Sequence, residues 1–135
     1  MPEPTEQLKR FLRDNISSYE ELEILLLLSR QPGVNRSDQD LAMSLGAPLE
    51  RVTTALEALR ATDCLLHTEE RGDLTYFSYA PASDEVGGLV SELGSVYAER
   101  PLAVIQIMSA NAFERVRGAT ARRLADAFRL ERPKK

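Results

Sequence analysis

The residues able to do covalent or metal chemistry are few in this chain of 135 residues: one cysteine, Cys64, and one histidine, His67. A thiolate beside an imidazole base makes a nucleophile pair. Here Asp63 opposes a thiolate at Cys64, and nothing near His67 supplies the third, orienting group that a Cys-His or Ser-His-Asp arrangement needs. An oxidant-sensing thiol and a pH-sensing imidazole are the sharper readings. A buried structural cysteine and an ordinary strand histidine are the commoner ones. One cysteine and one histidine cannot close a zinc site, and a lone cysteine excludes an internal disulfide. There is no phosphate-binding loop, dinucleotide fingerprint or paired-carboxylate motif. The sequence thus points away from an enzyme, with no catalytic residues, no metal site and no cofactor expected.

What remains is the chemistry of guanidinium and hydroxyl groups. Glu50, Arg51, Thr53, Thr54 and Glu57 crowd one short segment, with Arg60 further along, and Arg71 sits in a polar turn. Near the C-terminus, Arg115, Arg122 and Arg129 are spaced by seven and joined by Arg132, Lys134 and Lys135. Spacing by seven puts them along one face of a helix, as a stripe for phosphates or for an acidic partner; a solvated basic tail carries equal weight. The formal net charge of −4 is unevenly spread. Residues 34–80 hold four arginines against eight acids, whereas residues 111–135 hold eight bases against three acids.

Apolar residues at 43% and charged residues at 28% exclude a disordered or collagen-like chain. The longest apolar run, Ile24–Leu28, is far short of the ~18 residues of a membrane span. The first residues, MPEPTEQLKR, lack the apolar stretch of a secretory signal, so a cytoplasmic location without membrane attachment is expected.

Periodicity supplies the elements. Leu8, Phe11 and Leu12 mark a helix over 5–14, and Ser18 to Glu21 forms a capping box before a helix over 19–31 that is apolar nearly all round. Ser37 opens a third helix with Leu41, Ala42 and Leu45 inward. Gly46 suits its end, and Pro48 suits the start of a fourth helix carrying Val52, Leu56 and Leu59. Two short helices about a glycine turn are a helix-turn-helix signature. Strands are predicted at 64–68 and 74–79 around a polar turn at 69–73. A fifth helix over 84–99 carries a heptad-like stripe of Val86, Leu89 or Val90, Leu93 and Val96 or Tyr97, and Pro101 ends it. The stripe is either a dimer seam, which is favoured, or the face of a helix packed on its own domain. Residues 102–108 read as helix or strand, with context favouring helix. Asn111 with Glu114 is read as the cap of a last helix bearing Phe113, Val116, Leu124 and Phe128. One core is expected from Leu22, Leu25, Leu41, Leu45, Val52, Leu56, Leu59 and Leu66.

Residues 40–81, DLAMSLGAPLERVTTALEALRATDCLLHTEERGDLTYFSYAP, resemble the bacterial winged helix-turn-helix regulators of the MarR and ArsR kind. The likeness lies in a leading Leu-Ala pair, a glycine turn, a Val-and-Leu helix and a following hairpin. It implies a mainly α fold with a small β-hairpin, its winged helix-turn-helix core flanked by N- and C-terminal helices. The chain then divides into an N-terminal helix (1–16), a winged domain (17–82) and a helical dimerisation region with a basic end (83–135). In such folds the second helix of the pair enters the major groove. The resemblance thus implies a homodimeric transcriptional regulator that meets duplex DNA through Glu50, Arg51, Thr53, Thr54 and Glu57, with Arg71 at the wing. Its dimer seam is expected from Leu8, Phe11, Val86, Leu89, Leu93, Val96, Phe113, Val116, Leu124 and Phe128.

The chain departs from that pattern in charge. Glu50 and Glu57 approach where phosphates would lie, and Glu69, Glu70 and Asp73 surround the one wing arginine, opposing the counterion release that drives non-specific binding. Arg51 is equally a base-reading group and an ion-pair partner of its neighbouring glutamates. The alternative is a winged-helix interaction module that docks another protein through its acidic face and leaves DNA alone.

Overall fold

The computed structural model describes residues 3–113. Helix α1 (Glu6–Asn15) and helix α2 (Tyr19–Ser29) precede a two-residue strand β1 (Arg36–Ser37). Helices α3 (Asp38–Leu45) and α4 (Leu49–Ala61) follow, then strands β2 (Leu66–Arg71) and β3 (Leu74–Tyr79) and helix α5 (Asp84–Glu99). Residues 101–113 form a further helix, α6, running to the last described residue.

Local chemistry places each helix start. Thr5 Oγ1 accepts from the Leu8 N–H at 3.1 Å, and Ser18 Oγ accepts from the Glu21 N–H at 3.1 Å. The Glu21 carboxylate reaches back one residue further than a capping box requires, accepting from the Ser17 N–H at 2.9 Å and the Ser17 hydroxyl at 2.8 Å. Those bonds let Glu21 lie buried at 4% exposure. At α3 both arms close on the expected residues: Ser37 Oγ accepts from the Asp40 N–H, and the Ser37 N–H donates to Asp40 Oδ2. Gly46 ends α3 at φ 65°, left-handed backbone that costs other residues roughly 1–2 kcal/mol. Pro48 is the N-cap of α4, one residue before the position its fixed φ was expected to fill.

Helix α2 is the hub. Leu22, Ile24, Leu25, Leu26 and Leu28 are all buried, on several sides of the helix at once. Leu41 of α3, Val52, Ala55, Leu56 and Leu59 of α4, Leu65 just before β2, and Phe77 of β3 share its core. So do Leu8, Phe11 and Leu12 of α1, Ile16, Val90, Leu93 and Val96 of α5, and Val104 of α6. The N-terminal helix, the winged segment and α5 therefore contribute to one continuous core. Six of the eight core residues expected from periodicity are buried; Leu45 and Leu66 are half-buried against it.

The sheet has three antiparallel strands in the order β1-β3-β2, against two expected. Arg36 pairs with Phe77 and Ser37 with Tyr76, so β1 covers the outer edge of the hairpin. The hairpin pairs Leu66 with Tyr79 through to Arg71 with Leu74. Residues 69–71 are thus strand and not turn, and the loop shrinks to Gly72-Asp73, with Gly72 at φ 62°. A two-residue loop suits a hairpin because its twist matches that of the strands. The shift of β2 toward the tip leaves Leu65, outside the strand, as the fully buried residue.

Asn111 is not a cap. Pro101 stands in the first turn, where a missing N–H is harmless, and the helix runs unbroken through Asn111 to 113. Helix at 102–108, favoured by context, is what forms. Among the described residues no helix is long and apolar enough to cross a membrane.

Leu56 of α4 is 2% exposed within the shared core. Leu56→Ala is expected to lower the unfolding free energy by about 2–5 kcal/mol, and Leu45→Ala by clearly less, in denaturant titrations. Equal losses would contradict the packing described.

Candidate nucleic-acid interface

Helix α4 divides its residues by burial. Val52, Ala55, Leu56 and Leu59 face the core, and Glu50, Arg51, Thr53, Thr54, Glu57 and Arg60 are exposed. The apolar spacing of three and four fixes this division, since it puts the anchors on one side of a 3.6-residue period. The Gly46–Pro48 turn lets α3 and α4 pack on each other, with Leu41 buried beneath.

An open cleft of about 320 Å³ joins this exposed face to the wing. Asp38 and Gln39 of α3, Thr53, Glu57 and Arg60 of α4, and Asp73, Leu74 and Thr75 of the hairpin line it. Helix surface and hairpin therefore form one continuous face. The acids Asp38, Glu57 and Asp73 share that cleft with the single base Arg60.

The arginines differ in how they are held. Arg51 Nη1 lies 3.6 Å from Glu20 Oε2 of α2, so its ion-pair partner is neither of the glutamates near it in sequence. Arg71 donates from Nε to Glu69 Oε2 at 2.7 Å, and its guanidinium stands 5.3 Å from the centre of the Tyr76 ring. That hydrogen bond, followed by the nearby charge, holds the Glu69 carboxyl below the ordinary glutamate value and raises Arg71 in turn. Arg36 donates to the Gln31 side chain. Arg60 makes no ion pair among the described residues. It lines the cleft directly, three residues after Glu57 on the same exposed face of α4. Thr54 Oγ1 donates to the Glu50 carbonyl at 3.0 Å, back to its own helix, while its oxygen remains able to accept.

The residues expected at a dimer seam fall into three groups. Leu8, Phe11, Leu93 and Val96, expected at a dimer seam, are buried in the chain's own core. Val86 and Leu89 are half-buried, and Phe113 is 64% exposed. Val116, Leu124 and Phe128 lie outside the described residues, as do Arg115, Arg122 and Arg129. Among the residues of α6, Leu102 is 72% exposed.

Cys64 is half-buried, its Sγ 3.9 Å from Asn15 Oδ1, and His67 is an exposed residue of β2 opposite Ser78. No hydrogen bond joins the two. Among the described residues no three His, Cys, Asp or Glu side chains are grouped to hold a metal ion.

No family model and no curated protein sequence matches the chain. Solved structures do match it. The adhesin competence repressor AdcR of Streptococcus pyogenes superposes with a TM-score of 0.52 at 21% identity, over 88% of this chain and 84% of that one. HlyU of Vibrio cholerae, in its reduced form, gives 0.52 at 21% identity over 67% and 90%. The homodimeric winged helix-turn-helix DNA-binding domain Mb0332 of Mycobacterium bovis, described as a possible ArsR-family transcriptional regulator, gives 0.51 at 22% identity over 74% and 93%. At these identities the likeness is one of fold, and the element order agrees with it: a helix-turn-helix pair, then a two-stranded wing, with helices before and after. The chain has the winged helix-turn-helix fold.

Proposed function

We propose that the chain is a transcriptional regulator-like protein that binds duplex DNA as a homodimer. The carrying observation is the face of α4 on which Glu50, Arg51, Thr53, Thr54, Glu57 and Arg60 are exposed beside the wing, while the opposite face is wholly buried. A helix presented in this way fits the major groove. Arg51 is suited to guanine, Thr53 and Thr54 to bases or phosphates, Arg60 to a phosphate and Arg71 to the minor groove. The C-terminal Arg115, Arg122 and Arg129 are suited to the backbone. Homodimerisation is supported by the exposed Leu102 on α6 and the half-buried Val86 and Leu89 on α5. The reading also places the protein in the cytoplasm, with the DNA.

The scarcity of uncommitted base sets the energetics. Between two and four phosphates neutralised per dimer, by Arg60 alone or with Arg51, gives a slope of log affinity on log salt of about −2 to −4. A steeper slope assigns further contacts to the C-terminal arginines. Arg51→Ala is expected to weaken a specific site by about 1–3 kcal/mol in mobility-shift titrations. Replacing Glu50 and Glu57 by Gln should tighten non-specific binding by removing repulsion. If neither the wild type nor the Gln variant shifts any genomic fragment at low salt, the DNA reading is wrong. A basic protein partner for the acidic face is then the next candidate.

Light scattering at micromolar concentration should give twice the chain mass; the chain mass itself would remove the dimer.

The wing also has a pH signature. Because its pKa is depressed in the fold, Glu69 keeps its bond to Arg71 at neutral pH and loses it as pH falls below the ordinary value of 4.5. In a carboxyl NMR titration, Arg71→Ala should return Glu69 upward to the ordinary range. An unmoved midpoint would show that the pair does not form.

A further inference from the structure

Resting on the DNA reading, we propose that Glu20 is an internal competitor for Arg51, occupying the guanidinium until a DNA phosphate or base edge displaces it. The pair is asymmetric: the Glu20 side chain is 25% exposed and that of Arg51 is 69% exposed. The carboxylate stands in the first turn of α2, and the arginine in the first turn of α4. One turn further along α2, Glu23 Oε2 accepts from the Tyr97 hydroxyl at 2.8 Å, tying this acidic edge to α5. Glu50, adjacent to Arg51 in the chain, is exposed and makes no ion pair with it.

Access to the pair is open from two sides. A groove of about 310 Å³ lined by Ser18, Glu50 and Thr54 and another of about 270 Å³ lined by Tyr19 and the Gly46–Pro48 turn both include Glu20 and Arg51. An incoming phosphate can therefore reach the guanidinium without any movement of α4. The exchange trades one anion for another, so Arg51 adds little net charge neutralisation on binding. Glu20 thereby lowers the contribution of Arg51 to affinity and flattens the salt dependence, although it lies on a different helix from the reading face.

The test is a double-mutant cycle of the full chain with Glu20→Gln, Arg51→Ala and both together. Binding to a mixed-sequence duplex is followed by fluorescence anisotropy across a salt series. Glu20→Gln should tighten binding about two- to fivefold at low salt, the range of an exposed ion pair. It should also steepen the log–log slope by about 0.9 per protomer, one phosphate each. Both changes should vanish when Arg51 is Ala. The same gain in the Arg51→Ala background would overturn the proposal, because Glu20 would then act only as background negative charge. Binding by all four proteins with purely additive effects sinks this inference alone. No binding by any of the four sinks the DNA reading and this inference with it.

Discussion

The architecture depends on the burial of α2. A helix carrying Leu22, Ile24, Leu25, Leu26 and Leu28 around most of its circumference cannot rest on one neighbour. Each of these side chains contributes about 1.5–3 kcal/mol only if water is excluded on its own side. α3 and α4 cover one side and the hairpin another; α5 also packs on α2, and α1 packs on α5. α4 consequently has to give α2 its apolar residues and keep its polar ones outside. The exposed polar face of α4 is thus a consequence of packing, whatever it contacts.

The same constraint explains which assignments were legible in the sequence. Ser18, Ser37, Gly46 and Ser83 mark helix ends through local hydrogen bonds and backbone preference, which a short window contains entirely. The helix-turn-helix pair was readable for that reason. The partner of an apolar stripe is not local information. Leu8, Phe11, Leu93 and Val96 have the periodicity of a seam whether a second chain or the rest of this one lies opposite, and here the chain's own core covers them. Strand β1 escaped notice because two residues have no periodicity; it exists because the edge of β3 offers Phe77 and Tyr76 for pairing. The boundary of β2 moved because cross-strand register fixes a two-residue loop, and a run such as Glu69-Glu70-Arg71 looks like a turn until it is paired.

Electrostatics of the candidate site show the same limit. From sequence alone Arg51 lies between Glu50 and Glu57, whereas in space it meets Glu20, 31 positions earlier in the chain. Arg71 kept a partner two residues away, because in a strand i and i+2 share a face. Alternation within an element is thus readable, and pairing between elements is not. The position of Arg60, on a cleft it shares with Asp38, Glu57 and Asp73, likewise emerges only when the hairpin is brought against α4.

These arrangements bear on how residues 17–82, with eleven acids against five arginines, would meet a polyanion at all. The acids are not evenly opposed to it: Glu20 and Glu69 are engaged with arginines, and Asp40 is held in the α3 capping box. The acids facing the cleft, Asp38, Glu57 and Asp73, remain the principal repulsive set. Repulsion from exposed carboxylates is screened beyond a Debye length of about 8–10 Å, while hydrogen bonds to base edges are not screened. A surface of this kind disfavours loose, phosphate-driven association more strongly than close docking in which Arg51, Thr53 and Thr54 reach the bases. Under the proposed function, weak general attraction is therefore compatible with selective recognition, and the acidic balance of the domain constrains how that recognition would work.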